Sequence, residues 1–237
     1  MHLNNNIITT IMANGDYGIC YEPIICVEDM QIIGYEALSR FKFFERLVSP
    51  DDFFKSIHSD KELFFYVETI LKKFQLDNRP CDKKLFLNLD PDVAIDSNHI
   101  AFWVKLFNTS EKIIIEIIEN SDEESAEDIE YFMDWLDEYN IHYAYDDYAK
   151  PNSMFFTSLL HRADTIKLDI DFLRTIKENN AYIEIAKGVV NYAKLTQKHT
   201  VLEGVETKSD LELAKEIGVD FVQGYLFKQE FITVWKN

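Results

Sequence analysis

The feature that most constrains this chain is a rhythm. Short β-branched runs alternate with longer amphipathic stretches over nearly all of its 237 residues. The short β-branched and apolar runs predict strands at Gly18–Val27, Gln31–Phe41, Lys84–Leu89, Lys112–Ile118, Ile141–Asp146, Thr165–Leu168, Thr200–Leu202 and Phe221–Tyr225. Helical patterning predicts helices at Asn4–Met12, Pro50–Phe74, Asn98–Phe107, Asp122–Tyr139, Ser153–His161, Asn179–Thr196 and Ser209–Ile217. Ser49-Pro50-Asp51-Asp52, Ser121-Asp122-Glu123-Glu124 and Ser209-Asp210 read as helix starts, and Gly218 as a stop. Strand–helix alternation builds a parallel sheet. About eight strands in a chain of this length suit a closed β/α barrel better than an open doubly wound sheet. Only Glu28-Asp29-Met30 joins the first two strands, too short a link for a parallel crossover. The fold class expected is therefore α/β: a TIM-like (β/α) barrel with an antiparallel first strand. No Pro/Gly-rich linker divides the chain, so it reads as a single domain over 1–237. Residues 1–17 are expected to form an N-terminal helix and turn leading into the barrel.

Charge narrows the function. Asp and Glu number 42 against 24 Lys and Arg, a net −18. Such a chain repels a DNA or RNA polymer instead of releasing its counterions, and it repels an anionic membrane surface for the same reason. A small phosphate ligand remains open if a local cation or metal offsets the field. Cys20, Cys26 and Cys81 are odd in number and lack CxxC spacing, so free thiols are expected instead of disulfides or a zinc site. Met1 to Asn14 shows no signal-peptide pattern, and no apolar run approaches the roughly 20 residues of a membrane span. The expected setting is cytoplasmic.

A second pattern lies within the strands. Polar residues interrupt or end the apolar runs: Glu36, Asn88, Glu116, the pair Asp146 and Asp147, Lys167, Glu203 and Gln223. Any one such acid alone fits a salt bridge or a capped strand end. Acids on several strands that converge on one barrel mouth point instead to a catalytic centre. Their mutual repulsion calls for a divalent cation, and all-oxygen ligation suits Mg²⁺ or Mn²⁺. Asn88 adds a neutral oxygen, and Lys167 a cation able to orient a water or a phosphate.

Tyr35-Glu36-Ala37-Leu38-Ser39-Arg40 resembles the signature of the EAL domain family of cyclic di-GMP phosphodiesterases. The resemblance continues in order through Tyr21-Glu22-Pro23-Ile24, Asn88, Glu116-Ile117-Ile118-Glu119, Asp146-Asp147, Lys167-Leu168-Asp169, Glu203-Gly204-Val205-Glu206-Thr207 and Gln223-Gly224-Tyr225. It implies metal-dependent hydrolysis of cyclic di-GMP to linear pGpG with two Mg²⁺ or Mn²⁺ ions. Glu36, Asn88, Glu116 and Asp146 would hold one ion; Asp146, Asp147 and Glu203 would serve a second. Glu203 would also be a proton acceptor. Lys167 would position the attacking water, and Gln223 would support the water and ligand network. Arg40 and the backbone near Leu38 would grip a substrate phosphate. Glu119 would anchor the loop after Asp147, a segment linked to a possible homodimer contact.

The chain departs from the family pattern in that loop. Tyr148-Ala149-Lys150-Pro151-Asn152-Ser153-Met154 lacks the two usual glycines, and Glu22 replaces a usual glutamine. These departures are consistent with an alternative: a catalytically weak or inactive EAL domain that serves as a cyclic di-GMP receptor or a protein-interaction module.

Overall fold

A computed structural model describes residues 3–80, 83–94, 96–109, 112–117, 124–150 and 160–236, with the backbone alone for 124–128. Helix α1 (Asn5–Asn14) leads into strands β1 (Tyr17–Cys26), β2 (Ile32–Phe43) and β3 (Arg46–Val48). Helices α2 (Pro50–Ile57) and α3 (Lys61–Asp77) follow, and then β4 (Lys84–Leu89), α4 (Ser97–Phe107), β5 (Ile113–Ile117), α5 (Glu124–Glu138) and β6 (His142–Tyr148). Beyond the next gap come β7 (Thr165–Leu168), α6 (Ile170–Glu178), α7 (Ile183–Leu195), β8 (His199–Leu202), α8 (Lys208–Ile217), β9 (Phe221–Val222) and β10 (Ile232–Trp235). Strands pair in the order β1-β9-β8-β7-β6-β5-β4-β2, and β1 pairs back onto β2, closing the barrel. β1 is antiparallel to both β2 and β9, whereas β2 to β4 and every later neighbour around the ring are parallel. The link, five residues from Val27 to Gln31 in the structure, is still too short for a parallel crossover, and the pair is antiparallel as its length demands. β3 and β10 extend the sheet beyond the closed ring, each as an antiparallel flap.

Alternation along the strands builds two cores. Leu85, Leu87 and Leu89, Ile113, Ile115 and Ile117, Ile166 and Leu168 face outward into the shell beneath the helices. The residues that alternate with them face the barrel axis, because side chains two apart share a face. Ile24, Phe86, Ile114, Ala144 and Val201 form a small apolar layer there. Two residues from each stand Glu22, Asn88, Glu116, Asp146 and Glu203. Apolar below and polar above, the interior is already divided into floor and mouth.

Several boundaries differ from expectation for local reasons. Pro50–Phe74 is two helices, because Asp60 caps a fresh start by accepting from Leu63 N–H at 3.1 Å. The helix near Asn179 begins as a short 3-10 turn and becomes α-helical at Ile183. Thr207, not Ser209, caps α8, in a reciprocal box with Asp210. Gly218 does end that helix, at φ 87°. Helix α6 was not anticipated: Asp169 caps it by accepting from Asp171 N–H at 2.7 Å. Strand Phe221–Tyr225 stops at Val222, since Gly224 turns the chain at φ 149° into a 3-10 segment from Tyr225. The expected starts near Ser121 and helix Ser153–His161 fall largely outside the described residues. Cys20 is a buried free thiol and Cys26 a half-buried one; Cys81 lies outside the described residues. No helix among the described residues is long and apolar enough to cross a membrane.

Two glycines separate strain from tolerance. A Cβ on Gly224 would lie 2.4 Å from both the backbone nitrogen and oxygen of Val205, atoms that cannot yield. A Cβ on Gly188, inside α7, meets nothing within 4 Å. Gly224→Ala should therefore lower stability by about 1–3 kcal/mol from backbone strain alone. Gly188→Ala should raise it by about 0.4–1 kcal/mol. Urea unfolding of both variants checks the opposite signs.

Candidate active site

The upper layer of the barrel interior is a ring of polar side chains. Glu22, Glu36, Asn88, Glu116, Asp146 and Lys167 come from within β1, β2, β4, β5, β6 and β7. Glu203 and Gln223 directly follow β8 and β9, and backbone bonds carry the sheet that far: Glu203 N–H donates to Leu168 O and Gln223 N–H to Leu202 O, both at 3.0 Å. A left-handed turn comes next. Gly204 has φ 68°, and a Cβ there would lie 2.1 Å from Ile170 Cγ1.

Lys167 sits at the centre, fully buried. Its Nζ lies 2.6 Å from Glu116 Oε1, 2.7 Å from Glu203 Oε1, 3.0 Å from Asp146 Oδ1 and 3.4 Å from Glu36 Oε2. Two amides complete the ring. Gln223 Nε2 donates to Glu36 Oε2 at 2.6 Å. Asn88 Nδ2 donates to Glu36 Oε1 at 2.8 Å and to Glu116 Oε2 at 3.1 Å. Asn88 thus turns its nitrogen, not the expected ligand oxygen, toward the acids; half a turn about its terminal torsion exchanges the two.

Burial and crowding displace the titrations. Burial would raise Glu36, but the Lys167 ammonium and the two amides hold it below the ordinary carboxylate range. Burial and the Glu36 charge push Glu116 well above that range. Burial pushes Asp146 up to about 6 and Glu203 up to about 8, despite the pull of Lys167. Burial would lower Lys167, yet Asp146, Glu116, Glu203 and Glu36 outweigh it and hold the ammonium well above its ordinary value.

Asp146 and Asp147 reach the mouth together because the β6–β7 register shifts between Tyr145 and Tyr148. Asp147 takes φ 55° and Ala149 φ 67°, non-glycine residues in the left-handed region. Asp146, Asp147 and Glu203 each offer an oxygen within 4.8 Å of the other two. Lys150 closes onto Asp147, Nζ to Oδ2 at 2.6 Å. Five carboxylates (Glu36, Glu116, Asp146, Asp147 and Glu203) thus face two ammonium groups. Among the described residues, buried Glu116 Oε1 and Asp146 Oδ1 have only the Lys167 ammonium beside them as a counter-charge. An all-oxygen set whose negative charge exceeds that of its two ammonium partners fits a hard divalent cation.

Leu38 lies where two cavities meet. One, about 310 Å³, opens over Glu36, Asp146, Asp147 and Glu203. The other, about 410 Å³, runs along Arg40, Phe54, Phe64 and Asp90. Arg40 donates to Glu22 Oε1 and to Ser39 O, each at 3.1 Å. Sequence reasoning found Glu22 only as an added charge, not as the partner of Arg40, since the hairpin register that brings them together is invisible in composition. It read His58 as a surface or helix-edge residue without foreseeing its acidic partners. That ring stands 2.9 Å from Asp92 Oδ2 and 3.4 Å from Asp90 Oδ2, with Lys61 bonded to Asp92 as well. The Lys61 ammonium supplies this cluster with a cation of its own. Glu68 and Lys72, a buried ion pair one turn apart on α3, also line the larger cavity. The proposed anchor Glu119 lies outside the described residues.

Comparison with known proteins agrees with this geometry. The profile of the EAL domain matches residues 5–230. The probable cyclic di-GMP phosphodiesterase PdeA of Escherichia coli K12 is 29% identical over 233 residues, 93% of this chain and 31% of PdeA. The chain thus spans about a third of that relative's length. Among solved structures, an EAL domain protein of Listeria monocytogenes superposes with TM-score 0.75 at 23% identity, covering 96% of this chain and 93% of that one. The EAL-containing YkuI protein of Bacillus subtilis, solved with cyclic di-GMP and calcium, gives TM-score 0.77 at 22% identity, covering 93% and 57%.

Removal of Lys167 strands the acids. Lys167→Met should lower stability by about 3–5 kcal/mol in chelator, the cost of leaving buried charge unpaired. Millimolar Mg²⁺ should restore much of that loss while changing the parent less. Melting temperatures of both proteins with EDTA and with Mg²⁺ check this.

Proposed function

Because the chain belongs to the EAL domain family, we propose that it is a phosphodiesterase that hydrolyses cyclic di-GMP to linear pGpG. Five carboxylates gathered with one buried lysine at a single end of the barrel carry this reading. Glu36, Asn88, Glu116 and Asp146 would hold one divalent cation, Mg²⁺ or Mn²⁺, and Asp146, Asp147 and Glu203 a second. Cations held there supply Lewis acidity, which lowers the pKa of a water and offsets charge on a phosphodiester.

The chain's own groups account for the rest. Hydrolysis adds a water oxygen to phosphorus, breaks the bond to the ribose 3′ oxygen and leaves that oxygen protonated. Lys167, fixed by four carboxylates, would orient the attacking water, and Glu203 would accept its proton. Gln223, tied to Glu36, would keep that acid from turning away. Leu38, where the cavities meet, divides a space fit for a two-part ligand. Arg40 would exchange its Glu22 partner for a substrate phosphate. The alternative, a receptor that binds without turnover, draws on the hold of Lys150 on Asp147.

Purified protein incubated with cyclic di-GMP and Mg²⁺ or Mn²⁺ should yield pGpG by chromatography, and EDTA should stop it. Glu36→Gln should lower turnover about 100-fold or more with an intact circular dichroism spectrum, since even groups behind a ligand matter 10- to 100-fold. Tight binding with no pGpG would favour the receptor. Affinity should report on Arg40 separately. Measured calorimetrically with Ca²⁺, Arg40→Ala should weaken cyclic di-GMP binding about tenfold, and Glu22→Gln, which releases the guanidinium, should strengthen it several-fold. No change in either variant would remove Arg40 from the phosphate site.

A further inference from the structure

The barrel mouth carries a second cation that the proposed chemistry does not use. Lys150 Nζ lies 2.6 Å from Asp147 Oδ2, and Lys150 N–H donates to Asp147 O at 3.0 Å. The left-handed conformations of Asp147 and Ala149 fold the chain back so that a residue three positions on covers its own carboxylate. Asp147 is one of the three acids whose oxygens converge within 4.8 Å. The ammonium therefore rests on a carboxylate that an outer divalent cation would need. Its situation differs from that of Lys167. The Lys150 side chain is 51% exposed, against 1% for Lys167. Lys167 cannot leave its pocket. A rotation of the Lys150 stem would carry its ammonium to water, while the Asp147 side chain, 19% exposed, would stay in the mouth.

We propose that Lys150 is a tethered, displaceable counter-cation for the outer metal position. It neutralises Asp147 when no divalent ion is there and must swing out for one to bind. It thereby sets the affinity of the outer position while leaving the inner one, around Glu36 and Glu116, unaffected. Lys150 is a positioning residue here; it acts through Asp147. The inference rests on the divalent-cation reading of the site.

Titration with Mn²⁺ alone, without nucleotide, tests it. Free Mn²⁺ is followed by electron paramagnetic resonance for the parent, Lys150→Gln and Lys150→Arg. Two classes of site are expected in the parent. Lys150→Gln should tighten the weaker class about tenfold and leave the stronger class within twofold. Lys150→Arg keeps the charge and should stay within twofold of the parent in both. Equal tightening of both classes, an unchanged weaker class, or a single class in parent and Lys150→Gln alike would overturn the proposal. Mn²⁺ bound by the parent with no response to Lys150→Gln sinks the role of Lys150 alone. No Mn²⁺ bound by any of the three sinks the divalent-cation reading and this inference with it.

Discussion

One buried ammonium group governs the interior of this barrel. Lys167 stands within 3.4 Å of carboxylates from four different strands or strand ends. Those acids are too close together to ionise independently, and burial makes each charge costly. The ammonium lowers that cost for all four at once, and it can do so because the barrel encloses it. The apolar layer of Phe86, Ile114, Ala144 and Val201 beneath it bars water from below. Neither layer makes sense alone: the floor supplies rigidity and low dielectric, and the acids above require both a counter-charge and fixed geometry.

The antiparallel first strand makes the mouth asymmetric. Running opposite to its neighbours, β1 sets Glu22 across from Glu36 in register. β2 continues past the mouth, so Leu38 and Arg40 lie on the same face as Glu36, further out. On that side the site therefore has a wall, with Arg40 held to it by Glu22. Beside that wall, on the strands next in the ring, stand Glu203 and Gln223, whose following glycines turn the chain where a side chain would collide. Strand ends on one side and an overhanging hairpin on the other leave a cleft, not a symmetric bowl.

Most of this was legible in the sequence. Strand alternation predicted the barrel, and the three-residue link predicted its reversed strand. The polar interruptions at Glu36, Asn88, Glu116, Asp146, Lys167 and Glu203 identified residues that the fold brings together. Less legible were features set by local hydrogen bonds or by partners distant in sequence. Asp60 restarting a helix competes with an apolar periodicity that runs through it. Asp169 capping α6 was masked by its place in a site motif. The bulge at Asp146–Asp147 and the closing of Lys150 onto Asp147 depend on backbone angles that residue types alone do not dictate. The Glu22–Arg40 pair needs a register, and periodicity supplies only faces.

The surplus of acid at the mouth also orders arrivals. A chain of net −18 whose cleft concentrates carboxylates focuses a negative potential outward through that opening. Small cations would be drawn in there. An anionic ligand would meet repulsion until they had collected, so cations would load first and the anion would follow. Added monovalent salt works in opposite directions on the two encounters: it slows the capture of cations and speeds the approach of an anion, by shortening the reach of one field.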